Sequence, residues 1–125
     1  MIIDGTWVNQ NGSTVELTAN ADGTVSGYYV SRKGRAAGGK RYPLSGRLNE
    51  GVIAYQVDWQ DDQENLNSIT SFSGRIGRDA AGREVIHTVW VLVRQWEDPE
   101  RTRPTGLWNA FLTNSDVFYR SGEEP

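Results

Sequence analysis

Apolar and polar residues alternate along most of this chain with a period of two. Val15 and Leu17 alternate with Thr14, Glu16 and Thr18, and Tyr55, Val57 and Trp59 alternate with Gln56 and Asp58. Such alternation predicts strands that bury one face. A short strand opens at Gly5 and carries Trp7 and Asn9. Seven more follow: Ser13 to Ala19, Thr24 to Ser31, Arg41 to Leu48, Val52 to Trp59, Ser68 to Gly77, Glu84 to Arg94 and Leu107 to Tyr119. Turn residues separate them at Asn11-Gly12, Asn20-Ala21-Asp22-Gly23, Asn49-Glu50-Gly51 and Asp79-Ala80-Ala81-Gly82. The Asn11-Gly12 pair predicts a tight hairpin with both central residues at positive φ. Arg32 to Lys40 reads as a basic, Gly-rich loop, Gln60 to Asn65 as a polar loop, and Gln95 to Thr105, with two prolines, as a third. Pro43 predicts a bulge or an unpaired position in its strand. No helix of ordinary length is expected, beyond a single turn near Pro99. Eight strands joined in sequence suit an all-β, eight-stranded antiparallel up-and-down β-barrel, because closing the meander removes exposed edges. The whole of residues 1–125 is expected to form one such domain, with a frayed tail from Arg120 to Pro125.

Composition narrows the function classes. A length of 125 residues allows one modest core. A net charge of −3 does not favour nucleic acid or an acidic membrane as partner. Without cysteine there is no disulfide and no thiol chemistry, and no apolar run reaches membrane-spanning length. No signal peptide is recognisable, and Met1 is read as the start placed on a mature secreted chain. His87 is the one histidine, so no metal site is expected.

Parity shows the chemistry. The faces shared with Trp7 and Asn9 are Ser13, Val15 and Leu17; Val25, Gly27, Tyr29 and Ser31; Tyr55, Val57 and Trp59; Ser68, Thr70, Phe72 and Ile76; Thr88, Trp90 and Leu92; and Ala110, Leu112, Asp116 and Phe118. Each mixes apolar groups with small hydrogen-bonding groups. A plain core needs few polar members, since each one buried without a partner costs about 1–3 kcal/mol. Two readings fit: polar groups that satisfy one another or water, or an apolar-walled pocket with convergent polar groups. Repetition across six strands favours the pocket.

Gly5-Thr6-Trp7-Val8-Asn9-Gln10-Asn11-Gly12-Ser13 closely resembles the opening motif of the avidin/streptavidin family of biotin-binding proteins, and the resemblance runs from about Gly5 to Tyr119. It implies that Asn9 and Ser13 hydrogen-bond the ureido carbonyl of biotin. Tyr29-Val30-Ser31 resembles the family's Tyr-x-Ser/Thr motif, whose hydroxyls complete that donor set. Asp116 matches the position that accepts a ureido N–H, giving a push–pull arrangement with the donors opposite; the alternative is a turn or surface carboxylate, against which its parity with Leu112 and Phe118 argues. Trp59, Phe72 and Trp90 fall where the family places its aromatic box, with Phe72 where some members carry Trp. The resemblance further implies that Ser68 binds the tail carboxylate and Thr70 the ring sulfur.

The Arg32–Lys40 loop is longer than in streptavidin and more basic, with Arg32, Lys33 and Arg35. It is either a solvated loop or one that steers an anion. Ala36 and Ala37 are the nearest candidates for the backbone N–H groups that the family offers to the carboxylate. Val89, Val91 and Val93 form an apolar row on the outer face of their strand, which predicts a subunit interface. The resemblance implies a homo-oligomer, expected as a tetramer, in which Trp108 is given to the neighbour's pocket; a rim aromatic in its own barrel is the alternative. It also implies a secreted protein.

The expected function is non-catalytic, high-affinity binding of biotin in the barrel mouth, with no cofactor and no metal. An enzyme would need paired carboxylates or a nucleophile with its base. The inward lists hold only Asp116. A lipocalin-like carrier of another small ligand is the alternative, though many inward hydroxyls suit it poorly.

Overall fold

The computed structural model describes residues 2–32, 38–60 and 64–125. Among them the strands are β1 (Gly5–Asn9), β2 (Thr14–Ala19), β3 (Thr24–Val30), β4 (Tyr42–Asn49), β5 (Val52–Asp58), β6 (Ser68–Arg78), β7 (Glu84–Arg94) and β8 (Phe111–Arg120). Each pairs antiparallel with the next, and β8 returns to β1 to close the barrel. The closing seam is short, pairing Trp7, Val8 and Asn9 with Arg120, Tyr119 and Phe118. β6 and β7 pair along their full length, from Ser68↔Arg94 to Arg78↔Glu84.

Local chemistry differs from the sequence reading in four places. The first hairpin is not a two-residue turn. Only Gly12 has positive φ, at 81°, and Gly12 N–H donates to Asn9 O at 3.0 Å while Asn9 N–H donates to Ser13 O at 2.9 Å. This is a three-residue loop in which glycine takes the left-handed position. Asn9 Oδ1 accepts Asn11 N–H and Ser13 N–H, which keeps Asn11 out of the left-handed region. The loops at Asn20–Thr24 and Asp79–Arg83 repeat the same bonds. Second, Pro43 makes no bulge: it lies within the β3·β4 register opposite Tyr28 and is unpaired only on the β5 side, where the register begins at Leu44. Third, β8 starts at Phe111 rather than Leu107, because Asn109 and Ala110 N–H both turn back to Gly106 O. Fourth, Arg120 belongs to β8. It donates to Asp4 O at 2.7 Å and to Ile2 O, and its guanidinium lies 4.3 Å over the Trp7 ring.

The core fills the barrel from the end where the chain termini meet. Ile3 is fully buried there, and its carbonyl accepts the Trp7 indole N–H at 2.9 Å. Above it lie Val15, Leu17, Val25, Ile53, Tyr55, Val57, Ile76, Ile86 and Phe118. The connections β1–β2, β3–β4, β5–β6 and β7–β8 all lie at the opposite end. Asn9, Ser13, Ser31, Trp59 and Ser68 are therefore gathered there, each at a strand end or one residue beyond it. Parity assigns burial on most strands with two exceptions: Leu112 is exposed where the β7–β8 ribbon runs past the barrel rim, and Val85, on the outward parity of β7, is buried.

Candidate ligand-binding site

A cavity of about 470 Å³ opens at this loop-bearing end. Its lining includes Asn9, Ser13, Tyr29, Ser31, Trp59, Thr70, Phe72, Trp90 and Asp116, which the sequence singled out. Register explains the convergence. Tyr55, Phe72, Trp90 and Asn114 form one row across β5, β6, β7 and β8, and Gly74, Thr88 and Asp116 form the next but one. Closure then sets Asp116 beside Asn9, 107 residues away in the chain.

One side of the cavity is polar. Asn9 Oδ1 is committed to its own turn, so its amide N–H₂ faces inward. It reaches Tyr29 OH at 3.4 Å and Asp116 Oδ2 at 3.3 Å. These bonds are long, so a better-placed acceptor can take the amide protons at little cost. Ser13 Oγ accepts Arg32 N–H at 2.8 Å and keeps its own proton as a donor. Burial, and secondarily the charge of Asp116, pushes the Tyr29 phenol well above its ordinary range; a hydrogen bond with the Ser13 hydroxyl opposes this without reversing it. Tyr29 therefore stays a neutral donor. Asn9, Ser13, Tyr29 and Ser31 thus bring an amide and three hydroxyls to one corner, all nearly buried. Asp116, also buried, supplies the acceptor of the set.

Aromatic rings make the opposite walls. Tyr29 meets Trp59 edge-on at 5.4 Å and stacks on Phe72 at 5.6 Å. Tyr42 backs Trp59 at 5.0 Å. The Trp59 indole N–H donates to Thr70 Oγ1 at 2.7 Å, leaving the Thr70 proton available. Trp90 lines the cavity, but its indole nitrogen is buried without a hydrogen-bond partner.

Four expected residues stand apart. Ser68 is buried but is not among the lining residues, and its hydroxyl donates to Asn65 O at 2.6 Å. Trp108 is 91% exposed, so it is not a rim aromatic packed in its own barrel. Ala36 and Ala37 lie outside the described residues.

Sequence reasoning missed Gln10. Its Nε2 donates to Asp116 Oδ1 at 2.7 Å and its Oε1 accepts Val117 N–H at 3.0 Å, which fixes the carboxylate across the barrel seam. It also missed Asn114 and Ser115 in the lining, and Tyr42 and Asn65 behind the wall, and it gave Leu92 an inward face without naming it a site residue. Leu92 was legible by parity. Gln10 was not, because its partners lie more than a hundred residues away.

Comparison with known proteins agrees with this geometry. The model of the avidin family matches residues 1–121. Afifavidin of Afifella pfennigii is 40% identical over 95 residues, covering 74% of this chain and 58% of that protein, so the chain spans less than two thirds of that relative's length. Avidin of Gallus gallus is 29% identical over 126 residues, covering 94% of this chain and 77% of that protein. The apo structure of shwanavidin superimposes with a TM-score of 0.77 at 31% identity, covering 95% of this chain and 98% of that one. The rhizavidin–biotin complex superimposes with a TM-score of 0.75 at 32% identity, covering 92% and 96%.

Proposed function

This chain belongs to the avidin family, and from that membership we propose that it binds biotin in the open end of the barrel without transforming it. The observation that carries the reading is the pairing of Asn9, Ser13, Tyr29 and Ser31 with Asp116 in one cavity. Biotin's ureido group has a carbonyl oxygen on one side and N–H groups on the other. The donors would take the oxygen, and Asp116 would take an N–H. Charge-assisted hydrogen bonds of this kind are the strong ones, and each polarises the next. Trp59, Phe72 and Trp90 would enclose the bicyclic ring, with the Thr70 proton facing the ring sulfur. Eight-stranded barrels of this size are known to hold one small ligand, streptavidin being the familiar example. Ser68, whose proton goes to Asn65, is not part of the proposed contact set.

Two features favour a binder over an enzyme. Among the described residues, the lining holds one carboxylate and no histidine, cysteine or lysine. Its carboxylate is tied to Gln10 and Asn9 rather than beside a nucleophile. A lipocalin-like carrier of apolar ligands is not favoured by so polar a corner.

Trp108 supports an oligomeric pocket. An indole 91% exposed, beside Leu107 and Phe111, has no place in its own barrel. Val89, Val91 and Val93 continue the exposed apolar surface. Together they fit a homo-oligomer, proposed as a tetramer, in which Trp108 covers biotin in the neighbouring subunit. Export from the cell is proposed on family grounds, and steering of the biotin carboxylate is proposed for the basic Arg32–Lys40 loop.

Isothermal titration with biotin and with one unrelated vitamin tests the function. Tight uptake of one biotin per chain, with a raised melting temperature, is expected. No heat and no melting shift with excess biotin would sink it.

A further inference from the structure

Asn65 precedes β6 and is absent from the cavity lining, yet it bonds Trp59, which lines the cavity, and Tyr42 and Ser68 behind that wall. It is buried, and both of its amide protons are used. One goes to Trp59 O at 2.7 Å and the other to Tyr42 OH at 3.0 Å, on the ring that backs Trp59. Its backbone carbonyl takes the Ser68 proton. The anchorage is firm. Leu66 holds left-handed backbone at φ 59°, a conformation that a bulky residue keeps only where its surroundings impose it, and Asn67 follows at 49°. Leu66 O accepts Gln95 N–H at 3.1 Å, which ties this segment to the one after β7.

We propose that Asn65 is a positioning residue for the sulfur side of the cavity: it sets the Trp59 indole so that Thr70 presents its own proton to the ligand. The inference rests on the biotin reading and deepens it. The chain of contacts is continuous. Asn65 fixes the Trp59 backbone and the Tyr42 ring, and the indole N–H then occupies a lone pair of Thr70 Oγ1 at 2.7 Å. A hydroxyl that accepts from a buried donor is a better donor itself. Ser68 serves the same assembly.

The test uses biotin and desthiobiotin, which replaces the ring sulfur by two hydrogens. Dissociation rates of both are measured on the wild type, Asn65→Asp, Thr70→Val and the double variant. Asn65→Asp removes both donors at constant size. It is expected to speed biotin release roughly 10- to 100-fold, the effect of losing one or two buried hydrogen bonds. Desthiobiotin release should change far less, so the preference for biotin falls to that of Thr70→Val. The double variant should lose no further preference. Tyr42→Phe, which removes one acceptor while leaving the loop intact, should shift the preference in the same direction by less, and it carries the test if Asn65→Asp does not fold. Equal losses on both ligands would mean that Asn65 merely supports its loop, and would overturn the proposal. A wild type that binds neither ligand overturns the biotin reading itself, and the proposal with it.

Discussion

Asp116→Ala separates a recognition carboxylate from a structural one. In the barrel the side chain accepts two hydrogen bonds, from Gln10 Nε2 at 2.7 Å and from Asn9 Nδ2 at 3.3 Å. Gln10 is exposed, so water replaces the first bond. Asn9 keeps Tyr29 OH as a partner, and the second bond was long to begin with. The variant should therefore melt within about 1 kcal/mol of the wild type, the net worth of one ordinary hydrogen bond. Biotin should suffer more. A hydrogen bond to a charged group contributes about 1.5–3 kcal/mol, or roughly 10- to 150-fold in affinity. The loss is expected mainly in the off-rate, so competition-chased dissociation is the assay. Asp116→Asn keeps an acceptor of the same size without the charge, so it should fall between wild type and alanine. Tyr29 offers a ligand-free check. Burial is the main cause of its raised pKa and Asp116 the second. In Asp116→Ala its titration should move toward the ordinary value near 10 without reaching it. Unchanged biotin release in Asp116→Ala, or an alanine variant no weaker than asparagine, would refute the push–pull account.

Further outcomes follow from single contacts. Trp108→Ala should leave the apo barrel's stability nearly unchanged, because the indole is exposed, yet weaken biotin by about 2 kcal/mol or more; light scattering with and without biotin should also show less ligand-induced stabilisation of the oligomer, and a wild-type monomer of full affinity refutes the shared pocket. Tyr55→Phe removes a fully buried hydroxyl that has no partner, so the melting temperature should stay level or rise, by up to about 1–3 kcal/mol in stability; a clear loss would reveal a partner. Burial raises the Tyr29 and Tyr55 phenols, so both stay neutral in the fold while the unfolded chain ionises near pH 10. Their contribution is full below about pH 10 and is lost as the pH climbs toward their folded values. Chemical denaturation at pH 9 and pH 11 should show that decline, and it should be smaller in Tyr55→Phe.

The fold class was legible because a barrel meander is a local code. Alternation in β2, β3, β5, β6 and β7 assigns each side chain to one face, and a turn every ten residues or so leaves antiparallel neighbours as the simplest arrangement. The Asn9–Ser13, Asn20–Thr24 and Asp79–Arg83 loops carry their own chemistry within five residues. For the same reason the inward lists already named most of the cavity lining. The opening motif, read by resemblance, added roles that parity cannot supply.

What the chain order could not decide is held by contacts between distant segments. Barrel closure brings Asp116 to Asn9 and Gln10, and no local pattern near Gln10 announces a partner on β8. The Asn65 side chain is one polar residue in a polar loop until Trp59, Tyr42 and Ser68 surround it. Arg120 reads as tail until its guanidinium meets Trp7 and the arm at Ile2–Asp4. Trp108 belongs to a strand by pattern and to an exposed turn in fact, because the Gly106 carbonyl captures two following N–H groups. Short-range periodicity fixes which way a side chain points. Which group it meets depends on register, on closure and on loops whose bonds span the chain.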